Sequence, residues 1–486
     1  MKSPNRARAA LSGITSVLLL AGCAVGPTHI APSEALLAAT APTWQAGKEL
    51  AKTNTASVRP TEFWSRWNDA ALQSLVNAAM KNATSVEAAQ ARIAQARAGV
   101  GIARSGLMPS ANAQGSATRS DQGQGPASVF AGAAQAAWEL DLFGANRRGR
   151  DAALARLEAR ERDLDDVRVS LAADIATVYV NLRVNEALLA GFERDAASRL
   201  ETERLTQLKA KAGFEAPANA ALAAAAAAEA RTRAVTQRAE NDLSVKALVA
   251  LTALSETEVR AAIANGVGQL TAAPSLAAPN VPASLLNDRA DLRSIERELA
   301  AAIADIGAAE ADRYPKISLT GSIGYSVSRA FGATSDGATW GFGPSVSIPL
   351  FDAGRRSANV ELAKARHAEL TANYRATALR AVREVEEALT RIESVKLRES
   401  DQRSSLADYE AFEKAAQARL RAGVGSVLEL EDARRAVLAA QINVLALERE
   451  RATAWIALFR AVGGDWQRSD LATPRVAAAN SAQAIR

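Results

Sequence analysis

The chain holds one cysteine, Cys23, and two histidines, His29 and His367, in 486 residues. A lone thiol excludes an internal disulfide, so stability has to come from packing. Cys23 and His29 near the N-terminus and His367 far from both form no Cys/His cluster of the kind a zinc site or a Cys/His catalytic pair needs. Phosphate-cradling loops are missing as well: Gly99-Val100-Gly101 and Gly341-Phe342-Gly343 both lack a third glycine. Beyond the N-terminal stretch no run approaches the roughly 18 apolar residues of a membrane helix. If this chain spans a membrane, it does so with strands. Charge is nearly balanced, with Lys+Arg 58 against Asp+Glu 53 and a net of +5. The two signs are interspersed along helical stretches, the pattern of solvated faces rather than of a nucleic-acid surface. The sequence reads as no enzyme, with no cofactor, no metal and no nucleic-acid partner.

What is present begins with an address. Lys2, Arg6 and Arg8 precede an apolar stretch from about Leu11 to Leu20, the n-region and h-region of a secretory signal over 1–22. Leu20-Ala21-Gly22-Cys23 then resembles the lipobox of bacterial lipoproteins. That resemblance implies cleavage before Cys23, with lipid on its thiol and new amino group. Several acyl chains anchor stably, since each buried methylene contributes about 0.8 kcal/mol. Ala24, where an aspartate would retain the protein at the inner membrane, implies the outer membrane of a Gram-negative bacterium.

An internal duplication organises the remainder. Pro109 and Pro315, Leu142-Phe143 and Leu350-Phe351, Arg147-Arg148 and Arg355-Arg356, and Gly213 and Gly423 recur at an offset of roughly 208 residues. We read a lipid-anchored tether over 23–62, a first repeat over 63–264 and a linker over 265–284. A second repeat covers 285–464 and a tail 465–486. Each repeat runs helix, strand pair, long helix, return helix, with strand pairs at about 110–142 and 316–351. Ile317, Leu319, Ile323, Tyr325 and Val327 alternate with Ser318, Thr320, Ser322, Ser326 and Ser328. Trp340, Phe342, Pro344, Val346, Ile348 and Leu350 alternate with glycines, serines and Pro349. The first repeat does the same more weakly, around Ala111, Ala113, Ala117, Trp138 and Leu140. One greasy and one small polar face fit a membrane β-barrel strand, or a soluble sheet packed on one side. Four strands cannot close a membrane barrel, two chains give a filled eight-stranded one, and three give twelve strands with a lumen. A homotrimer in contact with outer-membrane lipid is the expectation.

After each strand pair a proline-free stretch, from about Gly144 to Lys211 and from about Gly354 to Arg421, predicts helices on the order of 100 Å long. Leu157, Leu164, Leu171 and Val178 recur at heptad spacing; Leu379, Val382, Val385, Leu389 and Ile392 form a second stripe. Both predict coiled-coil packing. The alanine tract 220–228 suits close helix approach. Gly213, with Pro217 beyond it, and Gly423, with Gly425, mark the turns; Ser426 and Glu429 predict a capping box opening the last helix.

These residues carry a resemblance to the outer-membrane efflux factors of the TolC/OprM type, in the NodT-like lipoprotein subgroup. It runs from Phe63-Trp64 to Trp466 and rests on five blocks in order. They are Asp288-Arg289-Ala290-Asp291-Leu292-Arg293 with Glu296; Ala308 to Leu319; Pro349 to Arg356; Arg421-Ala422-Gly423-Val424 with Leu428 and Asp432 to Arg435; and Gly463-Gly464-Asp465-Trp466. The resemblance implies an α+β, mainly α fold: a trimeric twelve-stranded outer-membrane barrel, four strands per chain, continued by a long periplasmic α-helical barrel. It implies a passive exit duct for small toxic compounds, coupled by a periplasmic adaptor (membrane fusion) protein to an inner-membrane pump of the RND type. By motif a periplasmic gate falls on Leu428, Asp432 and Arg435, with tip turns at Gly213, Gly423 and Gly425. Leu420 and Arg434 depart from the usual tyrosine and glutamine. An exit duct for a secreted polypeptide shares the fold; a lipid-anchored coiled-coil scaffold is the reading from another class.

The lipobox gives the first test. Cys23→Ser is expected to abolish palmitate labelling of the protein in cells; retained labelling would refute the reading.

Overall fold

The computed structural model describes residues 25–28, 44, 46, 64, 67–121, 123, 125–270, 289–330 and 332–464. Cys23, the proline-rich linker around Pro274, Pro279 and Pro282, and the tail from Asp465 lie outside them. The elements are α1 (Ala70–Asn82), α2 (Thr84–Ser105), β1 (Ser110–Asp121), β2 (Pro126–Glu139), α3 (Ala145–Lys211), α4 (Pro217–Thr252) and α5 (Glu256–Ile263), followed by α6 (Ala290–Ala311), β3 (Lys316–Ala330), β4 (Ala333–Ser347), α7 (Arg355–Arg421) and α8 (Val427–Ala461). The duplication is visible in lengths: α3 and α7 each have 67 residues, α4 and α8 have 36 and 35. The fold class is the α+β, mainly α one the sequence indicates. No described helix is long and apolar enough to cross a membrane. The chain divides into two compact units, described in turn.

The first unit (89–163 and 291–377, with 25–28) holds all four strands in one antiparallel sheet of order β1-β2-β3-β4. The strands end earlier than the alternation suggests. β2 stops at Glu139 and β4 at Ser347, so Leu142-Phe143, in a turn, and Leu350-Phe351, in the segment leading to one, lie beyond the strands rather than closing them. The cause is backbone conformation: Asp141 (φ 43°) and Gly144 (φ 85°), like Ala353 (φ 53°) and Gly354 (φ 85°), reverse the chain. Asp141 then accepts from the amides of Asn146 (3.0 Å) and Arg147 (2.9 Å), and Asp352 from Gly354 (3.1 Å) and Arg356 (3.3 Å). These carboxylates satisfy donors that a helix start leaves open. β4 begins at Ala333, well before Trp340. The segment after the expected lipid site is also fixed here. Gly26 (φ 103°) lies so close to Gly307 that a Cβ on it would sit 2.5 Å from the Gly307 Cα, and its carbonyl accepts from Arg148 (3.3 Å).

The second unit (34–88, 164–290 and 378–486) is helical. On α7 a buried series runs through Ala378, Ala381, Val385, Ala388, Ile392 and Val395, spaced alternately three and four apart, with Leu389 buried beside it. That is the heptad seam, half of it alanine. Leu379, placed in the stripe by sequence, is 58% exposed, because the seam runs through its neighbour Ala378. On α3, Leu164 and Leu171 are buried, and a seam runs through Val169, Ala172, Ala176 and Tyr179 to Arg183. On α4, Ala223, Ala227, Ala230 and Ala234 are buried, as close approach requires.

Arg183 is 2% exposed and works as a clamp. It donates to the carbonyls of Ile263 (3.0 Å) and Asn265 (2.6 Å) at the end of α5, to Glu186 (2.9 Å) and to the Tyr179 hydroxyl (3.0 Å). Tyr179 in turn donates to Asp69 (2.7 Å), whose other oxygen caps α1 by accepting from the Leu72 amide (3.0 Å). Burial, then the bond to Asp69, pushes the Tyr179 phenol well above its ordinary range. The second repeat uses the same device: buried Arg289 donates to the Ala461 carbonyl at the end of α8 (2.7 Å) and to Glu384 (2.9 Å). Cutting a buried charge from a paired network costs about 3–5 kcal/mol. Arg183→Met should therefore lower the unfolding free energy by about that amount, and an exposed control such as Arg204→Met by far less. Equal thermal shifts for the two would show that the clamp carries no load.

Candidate channel wall and tip

The register decides what the sheet is. Ile323 lies opposite Ala134 on β2 and Trp340 on β4; Tyr325 opposite Gly132 and Ala338; Val327 opposite Phe130 and Asp336. Leu319 is flanked by Trp138 and Pro344, and Ala134 faces Ala113 on β1. Side chains of directly paired residues share a face, so the greasy positions of all four strands, Val129 excepted, fall on one side. The other side carries Ser110, Asn112, Gln114, Gln135, Ser318, Thr320, Ser322, Thr339 and Ser345, with small alanines and glycines between. The apolar face is bare within the chain: Trp340 is 83% exposed, Phe342 73% and Ile323 65%. No charged residue occurs within 110–118, 126–138, 317–328 or 337–347. Runs of about ten residues are what a tilted strand needs to cross hydrocarbon. Charge returns at the two ends, as Glu139 and Lys316 at one and Arg119, Asp121, Arg329 and Asp336 at the other. At the first end Lys316 pairs with Asp312 (2.9 Å), and the Trp138 indole donates to the Leu107 carbonyl (3.1 Å).

The tip belongs to the second unit. α3 and α7 end in the same motif: Phe214 N–H bonds to the Lys209 carbonyl (2.9 Å) and Gly213 N–H to Ala210 (3.1 Å), as Val424 does to Arg419 (3.1 Å) and Gly423 to Leu420 (3.1 Å). This is a Schellman turn, and it needs the left-handed φ of 76° that both Gly213 and Gly423 adopt. Gly425 is required for a different reason, since a Cβ there would come within 2.9 Å of the Leu420 nitrogen. The expected capping box is half made. The Ser426 hydroxyl accepts from the Glu429 amide (3.1 Å), but the Glu429 carboxylate turns to Arg419 (2.8 Å) instead of closing back.

Leu428, Asp432 and Arg435 lie together on the exposed face of α8, Leu428 at 52% exposure. Asp432 and Arg435 form an ion pair within the helix. The opposite face shows what sequence reasoning missed. Glu431 and Arg434 are buried (3% and 9%), and so is Arg199 on α3 (3%). Arg199 pairs with Glu431 and with Asp195 (2.9 Å); Asp195 also meets Arg233 of α4 (3.4 Å). Arg434 bonds Glu431 (3.1 Å) and the Thr202 hydroxyl (2.7 Å) and approaches Glu413 of α7 (3.8 Å). One charged network thus ties all four tip helices. The available signal was Glu431 next to the apolar line of Leu430, Ala433 and Val437. Leu420, the departure from tyrosine, packs on the cluster of Ala416, Leu430 and Ala433. Among the described residues no carboxylate, histidine or cysteine group is arranged to hold a metal.

With this geometry in hand, comparison with known proteins is direct. The family model described as outer membrane efflux protein matches residues 75–254 and 281–464. Nodulation protein T of Rhizobium leguminosarum bv. viciae is 32% identical over 96% of each chain. The solvent efflux pump outer membrane protein SrpC of Pseudomonas putida is 31% identical over 93% of this chain and 98% of its own. The outer-membrane channel OprN superposes with a TM-score of 0.76 at 27% identity, over 91% of this chain and 99% of its own. A bare four-stranded sheet, two 67-residue helices and this match in both repeats lead to one assignment: the chain belongs to the outer membrane efflux protein family and is an outer-membrane channel component of an efflux system.

Proposed function

We propose that three copies of this chain pool their strands into a twelve-stranded barrel through the outer membrane, continued by a helical barrel in the periplasm. The register of the sheet carries this reading: apart from Val129, which lies opposite Thr118 and Ser328, the four strands put their large apolar side chains on one face and hydroxyls, amides and small residues on the other. Left as a monomer in lipid, β1 and β4 would each present an unpaired edge, and closure through neighbouring chains removes both. The duct is passive. A periplasmic adaptor docks at the tip turns around Gly213, Gly423 and Gly425, and an inner-membrane pump of the RND type supplies the drive. Residues 1–22 are a cleaved signal, and lipid on Cys23 anchors the chain. The fixing of Gly26 beside the sheet-bearing helices supports an anchor at that end. Solvent efflux by SrpC supports small toxic compounds rather than a polypeptide as cargo.

At the tip, Leu428, Asp432 and Arg435 of three chains form the closed gate. Their common exposure on α8, opposite the buried network of Glu431 and Arg434, supports this, since the network fixes which face of α8 is left for neighbours. The ion pair inside one helix is worth only about 0.2–0.5 kcal/mol, so in the gate the same charges act mainly across chains.

Two measurements test the reading. Arg in place of Ile323 should block outer-membrane assembly, at a cost of roughly 2–4 kcal/mol near mid-membrane, whereas Ser322→Arg should assemble. Equal tolerance would argue against a membrane strand. In assembled trimers, Asp432→Ala with Arg435→Ala should raise single-channel conductance in planar bilayers with little change in trimer stability. Unchanged conductance would remove the gate assignment, and absence of any conductance in the unmodified protein would favour the coiled-coil scaffold.

A further inference from the structure

The charges at the hairpin end of the sheet are not distributed over both faces. Arg119 pairs across to Ser128, and Ser128 to Arg329, so the two arginines stand in one row on the apolar side, two strands apart. At the usual strand spacing that places them about 10 Å from each other. Asp121 is an odd-numbered neighbour of Arg119, and Asp336 lies opposite Val327; both acids share that face. The acids are engaged, however. Asp121 accepts from the amides of Gly123 (2.9 Å) and Gly125 (3.1 Å) within its own turn, and Asp336 accepts from the Tyr325 hydroxyl. The side chains of Arg119 and Arg329 are exposed and have no hydrogen-bond or ion-pair partner among the described residues. The hairpin residues between the strands, Gln122, Gln124 and Phe331 included, add no acid. Just below this row come Phe130, Val327 and Tyr325, the last large side chains of the apolar face.

Two unpaired guanidiniums, aimed to the lipid side and one step beyond the hydrocarbon-facing band, have a defined chemical complement. We propose that Arg119 and Arg329 form a docking row for the phosphate groups of membrane lipid at the outer surface, repeated three times around the barrel. The proposal rests on the barrel reading, which makes the apolar face the lipid face and the hairpins the outer end. Guanidinium binds phosphate in a bidentate fork, and the unpaired state of both arginines leaves those donors available. Such a row holds the barrel at a fixed depth, because sliding inward would drag two charges into hydrocarbon and sliding outward would break the phosphate contacts.

The test uses the full-length trimer in a neutral detergent and measures retention of diphosphorylated lipid A against its dephosphorylated form by native mass spectrometry. The double variant Arg119→Gln with Arg329→Gln should lose on the order of tenfold or more in preference for the phosphorylated lipid. The charge-preserving variant Arg119→Lys with Arg329→Lys should keep most of it. A control double at Lys364 and Arg366, exposed on α7, should match the unmodified protein. An unchanged preference in the glutamine variant would overturn the proposal. So would equal competition by inorganic phosphate, which would mean a generic anion site and not a lipid row. Bilayer conductance of the glutamine variant separates the two levels: intact conductance with lost lipid preference supports the row, while a channel-less unmodified trimer sinks the barrel reading on its own.

Discussion

In hydrocarbon every backbone amide and carbonyl has to be bonded within the protein, and this requirement shapes the molecule more than any side chain does. The sheet of this chain has four strands and therefore two open edges, β1 and β4. In water, open edges are managed with charge or bulges; here residues 110–118 of β1 and 337–347 of β4 are as free of charge as the middles of the strands between them. That choice makes sense only where the edges are consumed by identical neighbours. Oligomerisation is thus a condition of the strands existing in the membrane, and the number of copies follows from the lumen the function needs.

The same logic extends along the helices. Along α4 the seam is built from alanine at heptad positions, and along α7 Ala378, Ala381 and Ala388 share it with Val385, Leu389, Ile392 and Val395. To this apolar packing the structure adds specific polar ties. Arg183 and Arg289 each close a helix end with guanidinium-to-carbonyl bonds, one in each repeat. At the tip, Arg199, Glu431 and Arg434 cross-brace four helices. A buried ionic network contributes little net stability, but breaking one partner is costly. Its effect is to fix the rotation of α8, and with it the direction in which Leu428, Asp432 and Arg435 point.

Much of this was legible in the sequence because membrane strands and turns have short-range causes. The serine-versus-aliphatic alternation of 317–328 specifies a face without reference to the rest of the chain, and Gly213 and Gly423 specify a left-handed turn. The strand ends were not legible, because the chain reverses at Asp141 and Ala353, non-glycine residues in the left-handed region that no local rule singles out. Leu379 misled because the seam runs through its neighbour Ala378, whereas Leu389 on the same helix is buried. Glu429 looked like the closing half of a capping box, but Arg419, across the turn, competes for its carboxylate and wins. The buried charges were least legible of all: Arg199, Glu431 and Arg434 are each a default surface residue, and only the convergence of four helices makes them partners.

The central claim is that successive residues of β3 face lipid and water in turn. With Cys23 as the only native cysteine and the unsubstituted protein as the labelling control, single cysteines can be placed one at a time at Leu319, Thr320, Gly321, Ser322, Ile323, Gly324, Tyr325 and Ser326. A charged, membrane-impermeant thiol reagent should then label Thr320→Cys, Ser322→Cys, Gly324→Cys and Ser326→Cys in assembled channels and reduce their conductance. The four odd-numbered variants should stay unlabelled while embedded in the membrane. Labelling without a two-residue period, or with the opposite phase, would contradict the account.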